Sequence, residues 1–375
     1  MVQGVYLTLL VGPMVPVPAP RAVLDALVSV EVTTNDVGPS AFQLTFTLNN
    51  RSELHTLFLI AGGALTGLMR VIVIVTVNGM PQVLMDGIVT NQQVTGDAAT
   101  GHSTLVITGE DLSVAMSRQE FTGLPYPAMP AEARVAFIVA KYAFLGIVPI
   151  VIPSIFVDVP LPTNRIPTHV GTDREYLQQL AREAGHVFYI ETAPAPGLNF
   201  AYWGPQIKLG VPQKALNGDL DGDRNVLNLA FTYDAESKTI PVVFIQNEAT
   251  KAPIPVPIPD ITPLNPPLGL IPPLPLNITF LDYTAKLSPL KAVLAGIAVA
   301  SRSADAVTGS GSLDVVRYGS VLRARQLVGV RGAGAAFDGL YYVNSVTSSL
   351  ERGAFKQSFR LSRNGLLSSV PKVVP

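Results

Sequence analysis

Clustered carboxylates, histidines and glycine-rich loops are the features of this 375-residue sequence that could do chemistry, and their spacing argues against each. Asp219, Asp221 and Asp223 could gather round calcium, but Ala230 stands at the twelfth position from Asp219, where a bidentate Glu must close such a loop. A solvated turn is the better reading. His55, His102, His169 and His186 show no metal-ligand spacing and no His-Glu-x-x-His motif, so each reads as an ordinary surface or hydrogen-bonded histidine. Gly62 to Gly67 has the glycine spacing of a phosphate loop, but Leu68-Met69 follow where Lys-Ser/Thr is needed to hold phosphate and metal. The glycines of Gly329 to Gly339 follow a strand without opening a helix, against a dinucleotide site. Gly309-Ser310-Gly311-Ser312 is no nucleophile elbow and reads as a flexible turn. Cysteine is absent, which removes thiolate chemistry and disulfides and fits folding in a reducing cytoplasm. The expectation is a protein that is not an enzyme, with no catalytic, cofactor-binding or metal-ligating residue and no cofactor.

Lys and Arg number 26 against 27 Asp and Glu, so no basic excess recruits nucleic acid, and none is expected as partner. Charged residues make up 14%, well below the usual share of about 25%, while 48% are hydrophobic. Such a surface must be buried in lipid or between subunits. Leu54 to Val77 is apolar but is broken by Gly62, Gly63, Gly67 and Arg70; Val135 to Val157 carries Lys141, Pro149 and Pro153 and runs into Asp158. Neither suits a continuous spanning helix, and no membrane span is expected. No Lys or Arg precedes Arg21, so the charged n-region of a signal peptide is missing.

Strands must therefore position whatever this chain presents. Val28, Val30 and Val32 alternate with Ser29 and Glu31, and Phe42, Leu44, Phe46 and Leu48 alternate with Gln43, Thr45 and Thr47, giving two half-buried strands joined by a turn at Asn35 to Pro39. Val71 to Val77 runs into Asn78-Gly79, which tolerates the positive φ of a tight hairpin, and returns through Gln82 to Val89; a further hairpin strand starts at His102. These strands predict an antiparallel sheet closed into a small barrel. Pro130 and Gly146 bracket a helix over Ala131 to Phe144, and Thr172 with Glu175 forms a capping box for a helix ending at Ala184 before Gly185. A strand follows at Val187 to Thr192. Strands resume at Leu227 to Phe231 and Pro241 to Ile245. Ten prolines between Pro253 and Pro275 then exclude helix or central strand and predict extended chain, an arm laid on a neighbour or a spacer. Tyr341 to Thr347 and Phe355 to Arg363 form a closing hairpin with Phe355, Phe359 and Leu361 on one face.

Gly171 to Ile190 (GTDREYLQQLAREAGHVFYI) resembles the helix-strand signature of the late control D proteins of contractile phages, shared with the N-terminal half of VgrG spike proteins. Tyr341 to Leu366 is similar to the closing hairpin of that hub family, and Val83 to Val94 to the strand after its first hairpin. The opening GVYLTLLVGPMVPVPAP together with FQLTFTL resembles hubs of extracellular contractile injection systems. The resemblance implies a β-rich α+β protein with two tube-like antiparallel β-barrel domains, a small α/β insertion and a proline-rich extended segment. Its divisions are 1–118 for the N-terminal segment and first barrel, 119–210 for the α/β insertion, 211–248 with 296–375 for the second barrel, and 249–295 for the proline-rich insertion. It further implies a homotrimeric baseplate hub that joins a hexameric inner tube protein to the trimeric spike, with other baseplate components as partners. The spike is expected to be a separate protein, because the chain ends soon after the hub hairpin. Assembly is expected in the cytoplasm, as part of a phage tail or tail-like injection particle. A tail-associated cell-wall hydrolase and a membrane-associated β-protein are the alternatives.

Overall fold

The computed structural model describes residues 4–13, 15–48, 58, 68–97, 102–154, 157–163, 166–218, 224–246, 252–258, 266–275, 277–281, 284, 289–303 and 305–370. The first half contributes β1 (Val5–Pro13), β2 (Val17–Pro18), β3 (Leu27–Asn35), β4 (Ala41–Leu48), β5 (Met69–Val77), β6 (Met80–Asp97) and β7 (His102–Asp111). They lie in the order β3-β4-β7-β6-β5-β1-β2, every pair antiparallel. The expected hairpin forms at Asn78 (φ 50) and Gly79 (φ 81), positive angles that match the twist of the flanking strands. Phe42, Leu44, Phe46 and Leu48 are all buried, as their alternation requires. Val28 departs from the expectation: the register shifts between Leu27 and Ser29, so Leu27 turns inward and Val28 stays 45% exposed. A single extra residue reverses which side chain the core receives.

The second half supplies β11 (Gln213–Asn217), β12 (Val226–Tyr233), β17 (Val307–Asp314), β18 (Leu327–Arg331), β19 (Gly339–Glu351) and β20 (Ala354–Arg363). Their order is β12-β17-β20-β19, with β18 on β19 and β11 on β18. Strand β19 then pairs antiparallel with β3, from Ser345↔Asn35 to Glu351↔Ser29. The two halves are thus one sheet of thirteen strands, and among the described residues no pairing closes either half into a barrel of its own. One apolar core runs beneath both, from Leu44, Phe46 and Ile107 to Val307, Tyr341, Phe355 and Leu361.

Gly309 to Ser312, expected as a flexible turn, is the middle of strand β17 between β12 and β20. Its glycines make room for rings: a Cβ at Gly309 would stand 2.7 Å from Phe231 Cε1, and one at Gly311 2.7 Å from Phe359 Cζ. Gly in a strand here marks close approach by neighbours, which a propensity reading takes for a loop. The glycines from Gly329 to Gly339 lie in β18, in β19 and in the loop between these antiparallel strands.

Two small α/β units are attached to this sheet. In the first, β8 (Ile147–Val151), β10 (Asn199–Gly204) and β9 (Val187–Thr192) pair in that order beside helices α1 (Ala131–Ala140) and α2 (Asp173–Ala184). Helix α2 carries the full capping box of Thr172 and Glu175 and ends at Gly185 with φ 70. Helix α1 stops at Ala140, short of the expected Phe144, and a separate turn at Ala143–Leu145 is capped by Gly146. In the second unit, β14 (Pro253–Pro257), β13 (Thr239–Gln246) and β16 (Asn277–Leu281) pair in that order under helix α3 (Pro289–Arg302). The prolines are extended, as expected, but part of the run is an edge strand of its own chain. Ile258 donates to Pro241 O, so the alternation of backbone direction turns Pro253, Pro255 and Pro257 outward, where a missing N–H costs no ladder bond. A short pair, β15 (Gly269–Ile271) with β21 (Leu366–Ser368), lays the next stretch against the second half, and Asn364 Oδ1 accepts from Leu268 N and Gly269 N.

Among the described residues no helix is long and apolar enough to cross a membrane. The stretch from Val135 to Val157 is divided between α1, the turn at Ala143–Leu145 and β8.

Candidate functional site

The most chemical-looking constellation lies inside the first α/β unit. With the imidazole proton on Nε2, facing Asp173 Oδ1 at 3.5 Å, His169 Nδ1 accepts from the Tyr126 hydroxyl at 2.9 Å. Asp173 Oδ2 accepts from Tyr142 at 2.7 Å and from Lys141 Nζ at 2.6 Å. The order Tyr, His, Asp is that of an acid–base relay, but His169 and Asp173 are fully buried and Tyr126 is nearly so. The imidazole is packed among the rings of Tyr176, Tyr126 and Phe121, and burial lowers its pKa against the opposing pull of Asp173. Burial also pushes the Tyr126 phenol up to about 12. Buried in this way, the group works as a lock between the end of α1 and the start of α2. His169 is thus the hydrogen-bonded histidine that was one of the two readings its sequence allowed, and it lies i,i+4 from the first residue of a capped helix.

His186 lies edge-on to Trp203 at a centroid distance of 4.4 Å, with its pKa lowered to about 4 by burial. Among the described residues no three His, Asp or Glu side chains come together to hold a metal. His55, the His102 side chain, Gly62 to Gly67 and Asp219, Asp221 and Asp223 lie outside the described residues.

A second polar group fastens the parts together. Arg325, from the second half, donates to Asn35 O and Ser40 Oγ of the first half and to Ile190 O of the α/β unit, while its guanidinium lies 3.8 Å over the Tyr189 ring. Arg70 makes a bidentate pair with Asp86 at 2.7 and 2.6 Å, and Asn199 donates to the same carboxylate at 2.8 Å. Asp111 accepts from Ser40 N and Ser113 N, and burial raises its pKa. The enclosed space at this joint is about 70 Å³, room for little more than water. These charges hold a junction.

What remains open to a partner is the outer face of the large sheet. Opposite the core side chains, register brings Asn228, Ser312, Ser358, Thr347 and Thr33 into one cross-strand row. Ala230, Ser310, Arg360, Ser345 and Asn35 form the next. On the other side of the first row run Asp314, Lys356, Ser349, Glu31, Gln43, Thr108 and Asn91. Short hydroxyls and carboxamides dominate, and the first two rows frame an open groove of about 700 Å³. The face ends at two unpaired edges among the described residues: β12 bonds only β17, and β6 beyond Ile88 bonds only β7. Sequence patterning marked Glu31, Gln43, Lys356, Ser358 and Arg360 as outward, but read Ser310 and Ser312 as a turn and did not show that eight strands align these residues into one surface.

No protein-family model and no curated protein matches the sequence. Solved structures do match the fold. A tail protein from Neisseria meningitidis MC58 is 14% identical with a TM-score of 0.64, over 97% of this chain and 98% of that one. The 43 kDa tail protein of prophage MuSo2 from Shewanella oneidensis is 16% identical with a TM-score of 0.59, over 96% and 98%. The E. coli c3393 protein, a type VI secretion component similar in structure to the T4 tail proteins gp27 and gp5, is 13% identical with a TM-score of 0.53, over 93% and 77%. Over nearly its whole length, this chain has the fold of phage-tail and secretion-system tail proteins.

Proposed function

We propose that this chain is a hub subunit of a contractile tail or injection machine, of the late control D and N-terminal VgrG-like kind, and that three copies form a ring between inner tube and spike. The observation that carries the reading is the eight-strand run β12-β17-β20-β19-β3-β4-β7-β6, antiparallel throughout and, among the described residues, unpaired along the outer edge of β12 and along β6 beyond Ile88. An even number of alternating strands makes β12 and β6 run in opposite directions. In a head-to-tail ring, β6 of one copy therefore meets β12 of the next antiparallel, with the hydroxyl face continuous around the inside. Two similar four-strand halves per chain let three chains present six repeats to a hexameric tube. Each tube-like barrel is then completed in the assembly, with β3, β4, β7 and β6 supplying the first half and β12, β17, β20 and β19 the second; the two α/β units project towards spike and baseplate. The fold shared with tail proteins supports this reading, as does the low charge fraction of 14%. Assembly takes place in the cytoplasm, and the role is structural.

Native mass measurement tests it: a particle of about three times 39.8 kDa is expected, and a stable monomer at micromolar concentration overturns it. Because the chain has no cysteine, Gln93→Cys with Ala230→Cys places reactive thiols only at the two sheet edges. A short bifunctional thiol reagent should then produce dimers and trimers and nothing larger.

A further inference from the structure

The groove of about 700 Å³ on the hydroxyl face has one charged residue in its lining, Arg360. Its direct cross-strand neighbours are Ser310 and Ser345, and Ser312 and Thr347 lie diagonal to it. No carboxylate belongs to its row, nor to the adjacent row of Asn228, Ser312, Ser358, Thr347 and Thr33. Lys356, one row further, is different: it stands beside Asp314, with Glu31 beyond Ser349 in the same row. The face therefore sets a carboxylate directly across from one cation and none in the other's own row or in the adjacent row of the groove.

We propose that the groove around Arg360 is a binding site for an extended polypeptide segment carrying a carboxylate. A planar guanidinium forms a two-point bond to a carboxylate, and hydroxyls and carboxamides, each both donor and acceptor, suit the alternating N–H and C=O of an extended backbone. Side chains of such a segment repeat about every 6.7 Å, as do those of the strands beneath it. Nucleic acid is disfavoured, because a single cation neutralises one phosphate and leaves its neighbours unpaired. The groove's place on a channel wall, where an internal polypeptide would meet it, rests on the hub reading; the binding chemistry does not.

The test uses the full-length protein and four fluorescent probes: a twelve-residue Gly/Ser peptide with a central Asp, the same peptide with Asn or with Lys there, and a single-stranded oligothymidine. The Asp peptide should bind about tenfold tighter than the Asn peptide, the size of one charge-assisted hydrogen bond, and the Lys peptide weakest. Arg360→Gln should erase that preference, while Arg317→Gln, an exposed arginine outside the groove, should keep it. Equal binding of the Asp and Asn peptides, a preference that survives Arg360→Gln in a variant of unchanged circular dichroism, or oligothymidine binding as tight as the Asp peptide each overturns the proposal. A preference lost in Arg360→Gln with the native mass unchanged supports the groove. A monomeric wild type that still prefers Asp supports the groove and sinks the hub reading alone.

Discussion

The two small α/β units are built to one plan and finished to different degrees. Each has three strands whose central member pairs parallel on one side and antiparallel on the other, β8-β10-β9 in one and β14-β13-β16 in the other. The first is covered on both faces: α1 and α2 pack on Phe188, Ile190 and Trp203, while Arg325 lies over Tyr189 on the other. The second packs Val243, Ile258 and Leu281 against Ala292 of α3 and, among the described residues, leaves its other face open, with Phe280 62% and Ile278 59% exposed. Phe244 and Phe280 stack there at 6.1 Å with no further layer among the described residues. A finished unit gains its stability within the chain, whereas an unfinished one gains it where the apolar face is covered.

Core truncation should separate the units most. Trp203→Ala should cost about 3–5 kcal/mol by denaturant titration, because its surroundings cannot collapse, whereas Leu281→Ala should cost about 2 kcal/mol, because a one-sided core relaxes towards solvent. Equal costs would show the second core to be as complete as the first. Acid should act on the first unit. His186 binds a proton more readily unfolded, with an ordinary value near 6.5, than folded, at about 4, so stability should fall as pH drops through that window. His186→Phe should reduce the pH dependence of the melting temperature there, leaving the part of the same sign that the buried His169 contributes. The seam between the units is next: Gly185 has φ 70, and a Cβ on it would lie 2.9 Å from Ala298 Cα. Gly185→Ala should cost about 1–2 kcal/mol and speed amide exchange in α3 before α2. Smallest is Phe280→Ser, within about 0.5 kcal/mol for an isolated subunit; a larger loss in assembled particles would identify the open face as an interface.

Much of the fold was legible where pattern and local chemistry agree. The Asn78-Gly79 hairpin, the Thr172 capping box, the strand Val187 to Thr192 and the closing hairpin with Phe355, Phe359 and Leu361 all depend on neighbours in sequence. Misreadings arose where a residue answers to a distant neighbour. Gly309 and Gly311 read as a turn because nothing nearby in sequence announces Phe231 and Phe359 above them. Val28 and Leu27 exchange places because a bulge is a property of two paired strands.

By itself the sequence determined the Asn78-Gly79 and closing hairpins, the Thr172-capped helix with the strand after it, and the core face of Ala41–Leu48 and Ala354–Arg363: these follow from period and turn chemistry. Tertiary structure alone decided that β19 and β3 merge two halves into one sheet, that prolines 253, 255 and 257 line an edge, and that hydroxyls from separate strands make one face around Arg360. Strand order and register are set by contacts hundreds of residues apart, and one chain's local pattern is compatible with several of them.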